Sequence, residues 1–212
     1  GEYDKSIKIG INYRPNSQWK IELDIFTNQE FDTDQFVTSF EDEYATHTYG
    51  SRYIFSDISN NSKGVTFESN MIYSPKLSFQ FFLRPELAHY TYSGLKEFLK
   101  PGDFNFHVYS KDLISEIDDS TIEIDPDGVG ISQSFQLSNE YIRGFNFLSH
   151  RANFIMKWEY KPGSVFFIVW QQQKDMYEVV DFSLSVREGL KKLKETDTIN
   201  TFMVKFSYWI SS

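Results

Sequence analysis

The chain has no cysteine, which excludes disulfides, thiol catalysis and thiolate metal sites. Alanine is nearly absent, occurring only at Ala45, Ala88 and Ala152, an improbable composition for a helical protein. Basic residues are in deficit: 21 Lys+Arg stand against 30 Asp+Glu, a formal net charge of -9. Nucleic acid is therefore not expected as a partner, because phosphate backbones require a basic surface. No stretch approaches the ~18 consecutive apolar residues of a transmembrane helix. A membrane β-barrel survives this test, since its signal per strand is weak. No signal peptide is visible either. The chain opens Gly1-Glu2-Tyr3-Asp4-Lys5 without Met or an apolar run, and the expectation is that the natural start is missing.

Aromatic residues are abundant: Phe 21, Tyr 13 and Trp 4 make up 18% of 212 residues. Such residues favour strands. Alternation follows along Ile7 to Tyr13, Trp19 to Ile25, Tyr49 to Phe55, Val65 to Tyr73 and Phe154 to Tyr160, and again along Phe202 to Ile210. Runs over Leu77 to His89 and Val165 to Gln172 and a weaker one over Gln35 to Glu41 bring the expectation to nine strands. Most are about ten residues long, whereas soluble strands average about five to six and a tilted membrane strand needs ~9–11. The polar faces mix signs, with Lys8, Arg14, Lys20, Glu22, Asp24, Arg52, Glu68, Lys157, Glu159 and Lys205. A wet barrel lumen has that character, and so does the solvent face of a soluble antiparallel sheet.

Connection lengths separate these two. The turns at 15–17, 74–76 and 161–164 are short and fall on one end of the sheet; those at 91–150 and 174–199 are long. The connection at 57–63 is intermediate, and those at 28–34 and 42–48 do not discriminate. Short turns at one end and long loops at the other are the outer-membrane pattern. The expected fold is thus all-β, an antiparallel up-and-down β-barrel of outer-membrane type. Residues 1–212 form one barrel domain or the C-terminal segment of a larger barrel, since nine is odd and bacterial barrels are even-stranded. Within the loops, Gly94 to Leu99 reads as a short helix and Phe182 to Glu195 as an amphipathic one; Phe104 to Tyr109 with Thr121 to Ile124 reads as a hidden hairpin.

The order Arg52-Tyr53-Ile54-Phe55-Ser56-Asp57, Tyr73-Ser74-Pro75-Lys76-Leu77-Ser78, Tyr92-Ser93-Gly94-Leu95-Lys96-Glu97-Phe98, Lys157-Trp158-Glu159-Tyr160-Lys161-Pro162-Gly163-Ser164 and Phe202-Met203-Val204-Lys205-Phe206-Ser207-Tyr208-Trp209 resembles the C-terminal region of the domain-of-unknown-function 5916 family. The resemblance runs from about Ile7 to Trp209. It implies an exported Gram-negative protein with a carbohydrate-binding family 9-like module ahead of an outer-membrane barrel. That module is absent from this sequence, so sugar binding transfers to no residue. Lys161 stands where the family has Arg, and Ile210-Ser211-Ser212 extend past the family's end.

Catalytic patterns are absent. His47, His89, His107 and His150 are too dispersed for a zinc pair, and neither a Gly-x-Ser-x-Gly elbow nor a phosphate-cradling glycine loop occurs. Glu22 and Asp24 share a strand face as a glycosidase pair would, or pair with Lys20 and Lys8. Asp125-Pro126-Asp127-Gly128 is either an ordinary turn or a weak Ca²⁺ candidate through Asp125 and Asp127. Trp158, Tyr160, Trp170, Tyr208 and Trp209 read as membrane-interface aromatics, with sugar stacking the alternative. The expectation is a non-enzyme without cofactors: an anchor, pore or docking component in the outer membrane. Its partners would be outer-membrane lipid, other proteins or the missing N-terminal part, and glycans. The alternative is a soluble periplasmic or surface β-sandwich that binds carbohydrate.

Overall fold

The computed structural model describes residues 1–103 and 105–210. The protein is all-β, with antiparallel, up-and-down topology. Seven long strands run in sequence as neighbours: β1 (Tyr3–Asn16), β2 (Trp19–Glu41), β3 (Ser51–Ser74), β4 (Leu77–Phe98), β9 (Phe145–Lys161), β10 (Ser164–Val179) and β11 (Ile199–Ser207). Between β4 and β9 the chain adds β5 (Phe106–Val108), which pairs with β4. It then forms a separate three-stranded sheet of β6 (Ile114–Glu116), β7 (Thr121–Ile124) and β8 (Phe135–Ser138), followed by a helical turn α1 (Glu140–Arg143). Helix α2 (Val186–Glu195) lies between β10 and β11. Among the described residues no helix is long and apolar enough to cross a membrane.

The tight connections between β1 and β2, β3 and β4, and β9 and β10 all lie at one end of the main sheet. The connections from β2 to β3, β4 to β9 and β10 to β11 lie at the other. The expected separation of short and long connections is therefore present.

Several boundaries differ from expectation. The nine strands are seven long ones, because Trp19 to Ile25 and Gln35 to Glu41 are one strand, β2, and Tyr53 to Phe55 joins Val65 to Tyr73 in β3. The stretches 28–34 and 57–63, expected as connections, carry ladder pairs such as Asn28↔Ser62 and Glu30↔Asn60. Their polar side chains hide the period, but backbone pairing does not depend on side-chain polarity. Bulges between Asp32 and Gln35 and between Phe36 and Thr38, with Asp34 at a positive φ of 68, absorb the irregularity.

Gly94 to Leu99 is not a helix. Lys96 and Glu97 pair with Phe55 and Ile54 on one side and with Val108 and His107 on the other. Two-sided pairing prevails over the local preference of Leu-Lys-Glu for helix. Gly94 sits at a φ of 63 beside the register shift. The hidden hairpin does not form: β5 pairs with β4, whereas β7 pairs with β6 and β8. Phe104, part of that expectation, lies outside the described residues. The second helix begins later than expected, at Val186, because Ser185 and Glu188 form a capping box that fixes its start. The last strand stops at Ser207, and Tyr208 to Ile210 continue without a ladder.

Two buried clusters sit at the long-connection end. One joins Ile54 and Leu95 of the main sheet to Tyr109, Ile122, Ile124 and Phe135. The other joins Leu87 and Leu148 to Leu184 and Leu193 around α2.

Candidate membrane-facing surface

Strand register assigns side chains to faces, because alternate residues point to opposite sides. Ile9 opposes Ile25, which opposes Val65; Ile11 opposes Leu23, which opposes Phe67; Phe67 opposes Leu83. The row continues through Phe81↔Phe154, Phe154↔Trp170 and Trp170↔Phe202, and next to it through Met156↔Ile168 and Ile168↔Val204. One face of the main sheet is thus apolar across all seven long strands, over Trp19 to Ile25 on β2 and Leu77 to Leu87 on β4, roughly 20 to 35 Å at ~3.4 Å per residue. Ile9 is 70% exposed and Phe202 72%. Among the described residues, no second sheet packs across this face.

The opposite face is polar and internally paired over β1 and β2 and around Arg151, but further across it also carries Phe82, Ile155, Phe167, Val169 and Met203, with Ile155↔Val169 and Val169↔Met203 in register. Lys8 meets Asp24 at 2.8 Å and Lys20 meets Glu22 at 2.7 Å, while the Asn12 side-chain amide donates to Glu22 at 2.7 Å. Asp24 is therefore engaged by Lys8 and Glu22 by Lys20 and the Asn12 amide, the pairing with Lys8 and Lys20 that is one of the two expectations. Arg151 binds Asp175 through both terminal nitrogens, at 2.6 and 3.1 Å, and Gln173 donates to the same carboxylate at 2.6 Å. Phe26 also points to this face. It is buried because Gly64 opposite leaves room for its ring, and the Arg84 guanidinium lies 4.7 Å from the ring centre.

At the short-turn end the aromatics gather. Trp158 meets Tyr160 edge-on at 6.0 Å, and Tyr160 stacks on Phe206 at 5.2 Å. The Tyr160 hydroxyl donates to the Ser207 carbonyl at 3.2 Å. Lys161 donates to the Tyr208 hydroxyl at 3.1 Å and lies 4.9 Å from its ring centre. Trp209 is held by its backbone N–H, which donates to Ser164 Oγ at 2.9 Å, and its side chain covers Gly163 of the tight turn. Four of the five expected interface aromatics therefore form one group around the β9–β10 turn. Trp170 stands apart, at the other border of the apolar stretch, where its indole N–H donates to Asn200 at 3.0 Å. Trp19 joins the turn-end row with its indole donating to Ser69 at 3.0 Å; only its place at the start of β2 hinted at this.

At the long-connection end the small sheet covers the polar face. Arg52, on the same alternation as Ile54 and Ser56, is buried. Its Nε donates to Asp42 at 2.7 Å, its Nη1 to Glu97 at 2.6 Å and its Nη2 to Ser132 at 2.8 Å. Burial pushes the neighbouring Tyr109 hydroxyl above its usual range, and the Glu97 charge adds to this, so it stays neutral. Lys96 makes a second knot, 2.6 Å from Asp34 and 2.5 Å from Asp57. Sequence reading missed both knots. A charge among buried neighbours must be paired, but the partners lie up to 80 positions away along the chain.

Asp125 and Asp127 are turned toward backbone. Asp125 accepts from Gly128 N–H at 3.0 Å and Asp127 from Ser132 N–H at 3.1 Å, which holds the Asp127 carboxyl below its ordinary range. Among the described residues no three His, Asp or Glu side chains converge as metal ligands. His89 and Asn146 are buried together, Nδ1 and Oδ1 3.1 Å apart. Asn146 also donates to the Phe182 carbonyl at 3.0 Å, tying down the segment that leads into α2. His150 sits 3.1 Å from the Gln172 amide oxygen on the apolar side of the sheet. His47 lies in the β2–β3 connection and His107 on β5. The four imidazoles are not brought together. No family model, no curated protein and no solved structure matches the chain.

Proposed function

We propose that the chain is a segment of an outer-membrane β-barrel that anchors an exported protein, with its apolar face against lipid and its polar face lining the interior. The observation that carries this reading is the apolar face itself. It is continuous over seven neighbouring strands, carries no second sheet among the described residues, and is backed over β1 and β2 by paired charges. Water would oppose so large an exposed patch, whereas lipid accepts it. The apolar stretch runs from Trp19 to Ile25 on β2 and from Leu77 to Leu87 on β4, against the ~9–11 residues a tilted strand uses, with aromatic rows at the turn end.

The segregation of tight turns from long connections supports the same orientation, with the tight turns on the periplasmic side. The small sheet then caps the outer end of the interior, which favours an anchor or docking role over a freely open pore. Kinship with the domain-of-unknown-function 5916 family belongs to this proposal and rests on the motifs quoted above.

The test is partitioning. The full chain should fold only with detergent or vesicles, and brominated lipid should quench its tryptophans. A monodisperse, folded monomer in plain buffer would instead return the reading to a soluble carbohydrate-binding sheet.

A further inference from the structure

Helix α2 lies on the apolar face at the border where apolar side chains give way to polar ones, and it separates two clefts. Gly189 allows the close approach: a Cβ there would stand 3.2 Å from Leu148. Toward β1–β3 the cleft holds about 410 Å³ and is walled by Ile7, Ile9, Ile25, Val65 and Leu190, with Lys63 and Glu86 at its edge. Toward β9 and β10 the second holds about 290 Å³, over Leu83 and Pro85, rimmed by His150, Lys174 and Lys194. No carboxylate lines this second cleft, in a chain whose net charge is -9. Lys192 is committed to Glu178 at 2.5 Å. Lys174 donates once, to the Leu193 carbonyl at 3.2 Å, and Lys194 has no hydrogen-bond or ion-pair partner among the described residues.

We infer that the paired clefts seat a phosphate-bearing lipid, its acyl chain beside Leu190 and its phosphate between Lys174 and Lys194. The inference rests on the membrane reading above and names the lipid partner of that surface. A cationic cleft and an apolar one sharing the wall of Leu190 and Leu193 match an amphiphile. A soluble anion would use the lysines and leave the Ile- and Val-lined cleft without a role.

The probe is phosphatidic acid as a minority lipid in phosphatidylcholine vesicles that carry the full chain, with retained lipid read by native mass spectrometry. The chain should retain phosphatidic acid in preference to phosphatidylcholine. K174Q/K194Q should lower that preference about tenfold or more, and the exposed single change K194Q by a smaller factor, while insertion stays unchanged. Unchanged preference in both variants overturns the inference, as does full displacement by inorganic phosphate, which would mark a free-anion site. A chain that inserts into pure phosphatidylcholine yet shows no preference overturns only this inference; a chain that never inserts overturns the membrane reading as well.

Discussion

The ring of Phe26 occupies the volume that a side chain at residue 64 would fill: a Cβ on Gly64 would lie 2.6 Å from Phe26 Cζ and 2.7 Å from the Pro85 carbonyl oxygen. The two residues are cross-strand partners, Phe26↔Gly64, on the polar face. Gly64→Ala should therefore destabilise by about 1–3 kcal/mol through overpacking, and Phe26→Ala by about 3–5 kcal/mol through a cavity. Because both act on one volume, the double variant should cost less than the sum of the singles. Urea unfolding in a fixed detergent measures all three, and strict additivity would mean that the ring does not depend on the glycine.

Neighbouring residues on β9 point to opposite faces, so Asn153 and Phe154 provide an internal control. Phe154→Arg should cost ~2–4 kcal/mol in vesicles, the penalty for a cation on a lipid-facing wall. Asn153→Arg, on the polar face, should change stability by much less. Equal penalties in vesicle refolding titrations would count against the assignment of faces.

Breaking the buried charge knot should free the cap. Arg52→Met leaves Asp42 and Glu97 uncompensated and should cost about 3–5 kcal/mol. Ser132→Ala removes one neutral partner and should cost about 1 kcal/mol. Limited proteolysis should cut the 99–144 segment sooner in both variants, and much sooner in the first, while the strands between the tight turns stay protected.

Docking of α2 should be acid-sensitive. Hydrogen bonds from Ser185 hold the Glu188 carboxyl below its ordinary value of 4.5. A carboxylate with a depressed folded pKa stabilises the folded form fully above its unfolded pKa and loses that contribution as pH falls through the lowered folded value. Amide protection across residues 185–195, taken relative to the intrinsic exchange rate at each pH, should fall below about pH 4.5. Glu188→Gln should flatten this dependence, and Ser185→Ala should cost about 1 kcal/mol at neutral pH. An identical acid profile in Glu188→Gln would remove the carboxylate from this role.

Much of the sheet was legible because an apolar sheet face is written by alternation: Trp19, Ile21, Leu23 and Ile25 already define their side. The tight turns were legible through Pro75-Lys76 and Pro162-Gly163. The upper halves of β2 and β3 were not. At Asn28 to Glu30 and Asn60 to Ser62 the ladder is backbone chemistry, and the side chains report only a wet environment. Gly94 to Phe98 misled for the opposite reason. Its side chains favour a helix locally, yet β3 and β5 were waiting on either side. The aromatic group at the β9–β10 turn was recognisable from position, while Arg52 and Ser132 met through a fold that no local spacing encodes.

The strands also differ in how far they outrun the apolar stretch. Beyond Ile25, β2 continues to Glu41, roughly 50 Å of chain at ~3.3 Å per residue, and β3 and β4 rise beside it. On the other flank β11 is only nine residues long. The wall is therefore a sloping parapet, tall over β2 to β4 and low at β11. The cap is built against the tall side, where two central strands can brace it, and α2 packs on the opposite face over β4, β9 and β10. The long-connection end is therefore braced on both faces of its tall strands, by the cap on one and by α2 on the other, while β11 runs without either support.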